Sequence, residues 1–288
     1  MARTTATTTF KTALFTTCAL ALTACGDDPQ PGTLSVSVWG EGFIEEGIPA
    51  DELVDGWAID FDAFVVSIGN TIGRAGEGGT DVGDPTFRLV DLAQPTAGAG
   101  HALAELADAP PGYYDHFGYE LRAATNPTAV NVDATTAAAM TAGGYSVWVR
   151  GQATKGAETR TFDWGFTTKL TFLHCDLGGA IDGDTLVARA TIHADHLFYD
   201  DAVSDEPNVA FQLIADADGA DGTIADGAIT FAELAAVDLR GQARYQVGSL
   251  RDPAGAAIVN LAQYVVHQVT TVGHINGEGH CEDVVAQP

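Results

Sequence analysis

Alternation of apolar and polar residues dominates the first 200 positions of the chain. Thr33 to Gly40 (TLSVSVWG) alternates and predicts a first strand. An acidic loop over 42–56 leads into Trp57 to Ile68. There Trp57, Ile59 and Phe61 share one face, and Phe64, Val66 and Ile68 share the other. The apolar phase shifts near Asp62, which predicts a bulge or a strand buried on both sides. Residues 70–84 are Gly-rich and acidic, a loop. Further strands are predicted over 86–92 and 113–121, the latter launched by the turn Pro110-Pro111-Gly112. Thr136 to Thr141 predicts one short helix, and Tyr145 to Gln152 another strand.

The longest strand-like run is Arg160 to Cys175. Its even positions Phe162, Trp164, Phe166, Leu170 and Phe172 must face the core, and by parity His174 joins them while Cys175 faces away. In Thr185 to Phe198 the even face holds Leu186, Ala188, Ala190, Ile192, His196 and Phe198. The odd face holds Arg189, Thr191, His193 and Asp195. About seven strands separated by turn signals predict a mainly β protein, an antiparallel β-sandwich over 33–200. From 201 to 288 the pattern changes to a helical segment packed on that sandwich. Pro207 suits the first turn of a helix continuing through 209–214. Phe231 to Leu239 predicts a second helix, and Ile258 to Val272 a third, ended by Gly273.

The N-terminus fixes the expected compartment. Arg3 and Lys11 precede a short apolar run, Ala13 to Leu22, and Leu22-Thr23-Ala24-Cys25 follows. This is the pattern of a secretory signal over 1–24, and it resembles a bacterial lipobox with Cys25 as the lipidated first residue. The run is too short to span a bilayer. Residues 25–32 then read as a tether, and the lipid as the only membrane attachment, placing the protein in the cell envelope. Loss of Cys18 and use of Cys25 leave Cys175 and Cys281, for which a disulfide is the default in an exported chain. The formal charge of −26 repels nucleic acid and anionic headgroups and favours cations or basic partners.

Two stretches carry candidate chemistry. Asp216, Asp218, Asp226, Gly227, Ile229, Thr230 and Glu233 are residue types that an EF-hand calcium loop uses, provided that Ala220 to Ala225 loops out. Ca²⁺ takes six to eight hard oxygens, and the closing Glu binds bidentately. The alternative is an acidic Gly-rich loop that binds little. The second set is histidine. A Cys175–Cys281 bridge would bring the preceding residues His174 and His280 near one another, and His196 could join them, as could His274 or His116. Imidazoles suit copper or zinc. The alternative is histidines hydrogen-bonded to backbone beside a structural disulfide. His193 with Asp195 reads as a solvated pair on the polar face.

The chain contains no G-x-S-x-G, P-loop, H-E-x-x-H or dinucleotide fingerprint, and Ser is scarce, so the reading is a non-enzymatic protein that binds a metal ion, Ca²⁺ at the EF-hand-like loop first. The alternatives are a His-based copper or zinc binder, or a structural or interaction module without ligand. Finally, FDAFVVSIG (61–69), FRLVDL (87–92), APPGYYDHFGYEL (109–121), GGYSVWVRG (143–151) and FLHC (172–175) resemble MbnP-like periplasmic proteins of the metallo-mystery-pair type. The resemblance spans roughly 60–180. It implies an exported copper-binding β-sandwich, often a lipoprotein. The four-Cys pattern of that family is absent here.

Overall fold

The computed structural model describes residues 28–204 and 206–288. The signal, Cys25 and the first tether residues lie outside the described residues. The chain begins with β1 (Gly32–Trp39) and a five-residue helix, α1 (Glu41–Glu45). It continues through β2 (Ala58–Ala75), β3 (Val82–Asp84), β4 (Arg88–Asp91), β5 (His101–Ala109), β6 (Gly112–Leu121) and β7 (Thr128–Ala129) to α2 (Ala134–Gly143). Next come β8 (Val147–Lys155), β9 (Glu158–Phe166), β10 (Lys169–Ile181) and β11 (Thr185–Ile192). The last third holds α3 (Gln212–Ala215), β12 (Ala228–Ile229), α4 (Phe231–Ala236), α5 (Leu261–Gln268), β13 (Gly273–Ile275) and β14 (Cys281–Gln287).

The fold is mainly β, but its sheets are larger and more mixed than seven antiparallel strands. One sheet has four strands in the order β13-β11-β1-β5. The other has ten, along the path β12-β9-β8-β2-β6-β10-β14 with β3, β4 and β7 beside it. The pairs β1/β11, β9/β12 and β4/β7 are parallel. Alternation reports which face of a strand is buried, not the direction of its neighbour, so sequence periodicity could not anticipate this. Side chains from both sheets enter one hydrophobic cluster, including Leu34, Val36, Ala188 and Ile192 from the first and Phe64, Phe117, Phe172 and Trp164 from the second. Because β12, β13 and β14 pair with β9, β11 and β10, the segment after residue 200 completes these sheets instead of resting on them.

In β2 both explanations of the phase shift hold. The register against β8 slips between Phe61 and Ala63. Beyond the slip, Phe64, Val66 and Ile68 face the main core. On the opposite face Ala63 and Val65 pack in a smaller cluster with Leu89 and Met140 of α2. That helix starts where the Asp133 side chain accepts from Thr136 N and stops at Gly144, whose φ of 63° closes the C-terminal turn.

A bulge in β10 overturns the parity assigned to its end. The register against β6 shifts between Phe172 and Cys175, and His174 has φ of 51°. Burial therefore changes from even to odd positions: Phe172 and Cys175 are buried and His174 is exposed. Cys175 forms the disulfide with Cys281, tying β14 to the sheet edge.

The helices after Pro207 are shorter than predicted. Val209 bridges Leu53 and Tyr199 in extended conformation, and α3 begins only at Gln212. The Asp55 carboxylate accepts from both Phe211 N and Gln212 N at 2.6 Å, which sets that start from 150-odd positions away in sequence. Likewise α4 covers Phe231–Ala236 and α5 covers Leu261–Gln268 behind an Asn260 cap, within the predicted 231–239 and 258–272.

Candidate metal centre

β11 ends at Ile192, where the chain leaves the sheet for a 3-10 turn, Asp195–Phe198. Strand parity therefore ceases to apply just before His193, Asp195 and His196. His193 and Asp195 are buried, not the solvated pair expected of a polar face. The antiparallel strand β13 brings His274 opposite Thr191, and a tight hairpin at Asn276 and Gly277, both at positive φ, leads to Glu278 and His280. The result is a knot of four imidazoles. The ring centroids of His193 and His274 lie 4.3 Å apart, His193 and His196 5.4 Å, His196 and His274 5.2 Å, and His274 and His280 5.5 Å.

The hydrogen bonds around His196 fix its proton. The Thr271 hydroxyl donates to the Gln268 carbonyl at 2.9 Å, so towards His196 Nδ1, 3.0 Å away, it can only accept. Nδ1 must then carry the proton, which leaves Nε2 with its lone pair. Buried Gln268 also donates to the His196 carbonyl at 3.1 Å and holds the turn in place. This is the orienting arrangement that metal-binding histidines use. Among the described residues, buried Nδ1 of His274 makes no well-formed hydrogen bond, only a weak approach of the ring to the Gly279 backbone. The Tyr199 hydroxyl donates to Asp195 Oδ2 at 2.7 Å, while Asp195 Oδ1 has no partner among the described residues.

Electrostatics keep His196 and His274 neutral. Burial pushes the His274 pKa down to about 3, assisted by His193, His196 and His280. Burial pushes His196 down to about 4, with Asp195 opposing and His193 assisting. Burial, then the charge of Asp195, raises Tyr199. Neutral imidazoles beside carboxylates offer their lone pairs to a cation. One atom each from His193, Asp195 and His196 lie within 4.8 Å of one another, and so do one each from Glu41, His193 and Glu278. A pocket of about 330 Å³ opens beside the knot, lined by His196, Tyr199, Gln268, His274, Glu278 and His280.

Of the three histidines expected to meet, His196 and His280 belong here and His174 does not. In the antiparallel pair, Cys175 faces Cys281, so the residue opposite His280 is Asp176, whose N–H bonds the His280 carbonyl at 3.1 Å. Residues preceding each Cys are thus displaced along the strands, not apposed. His174 instead packs on His116 at 5.3 Å and bonds Asp283 at 2.8 Å. The legible signal was His193-Ala194-Asp195-His196 itself, two histidines and an aspartate in four positions. Glu41, Tyr199 and Glu278 had no local signal.

The acidic loop over 216–233 is closed by its own hydrogen bonds. Asp216 accepts from Gln212 Nε2, and Asp226 from Ala228 N. Asp218 accepts from Asp226 N and Gly227 N and faces Arg160 at 3.3 Å. Glu233 accepts from Gly219 N with one oxygen and from Thr230 N and Oγ1 with the other, completing a capping box with Thr230. Burial opposes ionisation of Glu233, but the Gly219 and Thr230 amides win and hold its carboxyl below the usual range. Among the described residues, neither group of converging ligand atoms includes an acid of this loop. Glu233→Ala is expected to destabilise by about 1–3 kcal/mol, by stranding the Gly219 and Thr230 donors, in urea unfolding. Millimolar Ca²⁺ is expected to leave the melting temperature unchanged. A Ca²⁺-dependent rise that Glu233→Gln removes would instead show that the loop takes the ion.

Comparison with family models, curated proteins and solved structures finds no match to this chain.

Proposed function

We propose that the protein is an exported, lipid-anchored, non-enzymatic binder of a transition-metal ion, copper or zinc, held by His193, Asp195, His196 and His274 on a β-sandwich scaffold. The observation that carries this is the knot of imidazoles, in which His274 Nδ1 makes no well-formed hydrogen bond among the described residues and the Thr271 bond leaves His196 Nε2 unprotonated. Imidazole with one carboxylate oxygen suits Cu²⁺ or Zn²⁺, and copper binds the more tightly in a given site. The MbnP-like segments favour copper by resemblance. Anchoring rests on LTAC after the short apolar run, and mass spectrometry of the natively produced chain is expected to find acylated Cys25 at its N-terminus. An unmodified start elsewhere removes the anchor.

Elemental analysis of the protein purified from an oxidising compartment is expected to show bound copper or zinc. His196→Ala or His274→Ala should each remove the ion of the histidine knot, lowering the bound metal below the wild-type level, without loss of the disulfide. Thr271→Val, which keeps shape but removes the oriented acceptor, should weaken affinity about 10–100-fold. Retention of the full wild-type complement of metal by both alanine variants would refute the centre.

A further inference from the structure

The histidine knot accounts for only one of the two groups of converging ligand atoms. The other consists of Glu41, Glu278 and His193. Glu41 comes from the start of α1, Glu278 from the hairpin after β13, and His193 from the end of β11, so three separate segments meet there. Nδ1 of His193 lies 3.6 Å from Glu41 Oε2. Among the described residues no Lys or Arg pairs with Glu41 or Glu278, although the fold pairs other acids with Arg88, Arg240 and Arg244. A third carboxylate adds to the imbalance. Asp195, 8% exposed, leaves Oδ1 unpartnered, and its charge reaches Glu41. Three carboxylates and one imidazole are thus gathered without a Lys or Arg to balance them.

We propose that the centre holds two cations, the second a divalent ion taken by Glu41, Glu278 and His193. The inference rests on the metal-binding reading above. Two carboxylates and one imidazole form a harder donor set than the histidine knot and suit Zn²⁺ or Mn²⁺. His193 is common to both groups. An imidazole has two nitrogens: Nδ1 of His193 faces Glu41, and Nε2 lies 3.4 Å from the Gly277 carbonyl, a long contact that must give way for the one ring to serve both ions. A neutral ring carries one N–H, and binding both ions releases that proton to solvent.

The test is titration of the metal-free, disulfide-intact mature protein with Zn²⁺ alone, followed by calorimetry and by elemental analysis after desalting. The wild type is expected to take two ions per chain. Glu41→Gln with Glu278→Gln should take one, at an affinity for the tighter step within about threefold of wild type. Glu278 is exposed, so the single substitution Glu278→Gln will fold, and it should weaken the second step by about tenfold or more. A wild type that saturates at one ion overturns the second site and leaves the histidine centre standing. Two ions retained by the double variant also overturn it, because the second ion then lies elsewhere. No ion in the wild type removes the metal-binding reading itself.

Discussion

Removing the Cys175–Cys281 disulfide is expected to cost about 2–5 kcal/mol of stability and to loosen the metal centre with it. The bridge joins residues 106 positions apart. On the chain-entropy account, a loop of ~100 residues restricts the unfolded chain by up to about 4.7 kcal/mol. The native state depends on the link for a local reason as well. β14 is an edge strand, and most of its residues are exposed, so little apolar burial holds it to β10. Backbone pairing to β10 and the sulfur bridge are what keep it in place. Glu278 and His280 lie immediately before Cys281, whereas His274 sits upstream in β13, held by β11. Cys175→Ala with Cys281→Ala should therefore lower the urea midpoint. It should also expose the tail to proteolysis and weaken the ion dependent on Glu278 more than the ion in the histidine knot. An unchanged midpoint would show that strand pairing alone secures the tail.

Trp164→Ala should destabilise the fold by about 3–5 kcal/mol, from the packing lost and the cavity left. Trp164 is fully buried, with ring centroids 4.9 Å from Phe162, 6.4 Å from Phe198 and 6.2 Å from Phe231. Its Nε1–H donates to the Ile229 carbonyl at 2.9 Å, so the truncation also strands a buried acceptor. Three elements meet on this one ring: β9, the 3-10 turn that carries His196, and the β12–α4 segment that ends the acidic loop. Trp164→Phe keeps most of the volume and should cost about 1–2 kcal/mol, chiefly the hydrogen bond. A loss below about 1 kcal/mol for the alanine variant, read by equilibrium unfolding, would mean that the cluster repacks freely.

In β9 the sequence alone determined what is buried: Phe162, Trp164 and Phe166 face the core as their alternation requires. It also determined the phase shift in β2, the presence of a helix within 258–272, and the pairing of Cys175 with Cys281. Each of these follows from period, local capping or residue count, which act over a few neighbouring positions. His193-Ala194-Asp195-His196 was visible for the same reason. Only the tertiary structure decided which groups these side chains meet. The parallel pairing of β1 with β11 places the end of β11 beside the start of α1, so Glu41 reaches His193 across most of the first 200 residues. The antiparallel register of β13 then sets His274 against the same ring. His174 left the group because one extra residue in β10, accommodated at a positive φ, turned its side chain to solvent. Alternation specifies a face, while sheet order, strand direction and bulges arise from packing between distant segments, and it is those that assemble the centre.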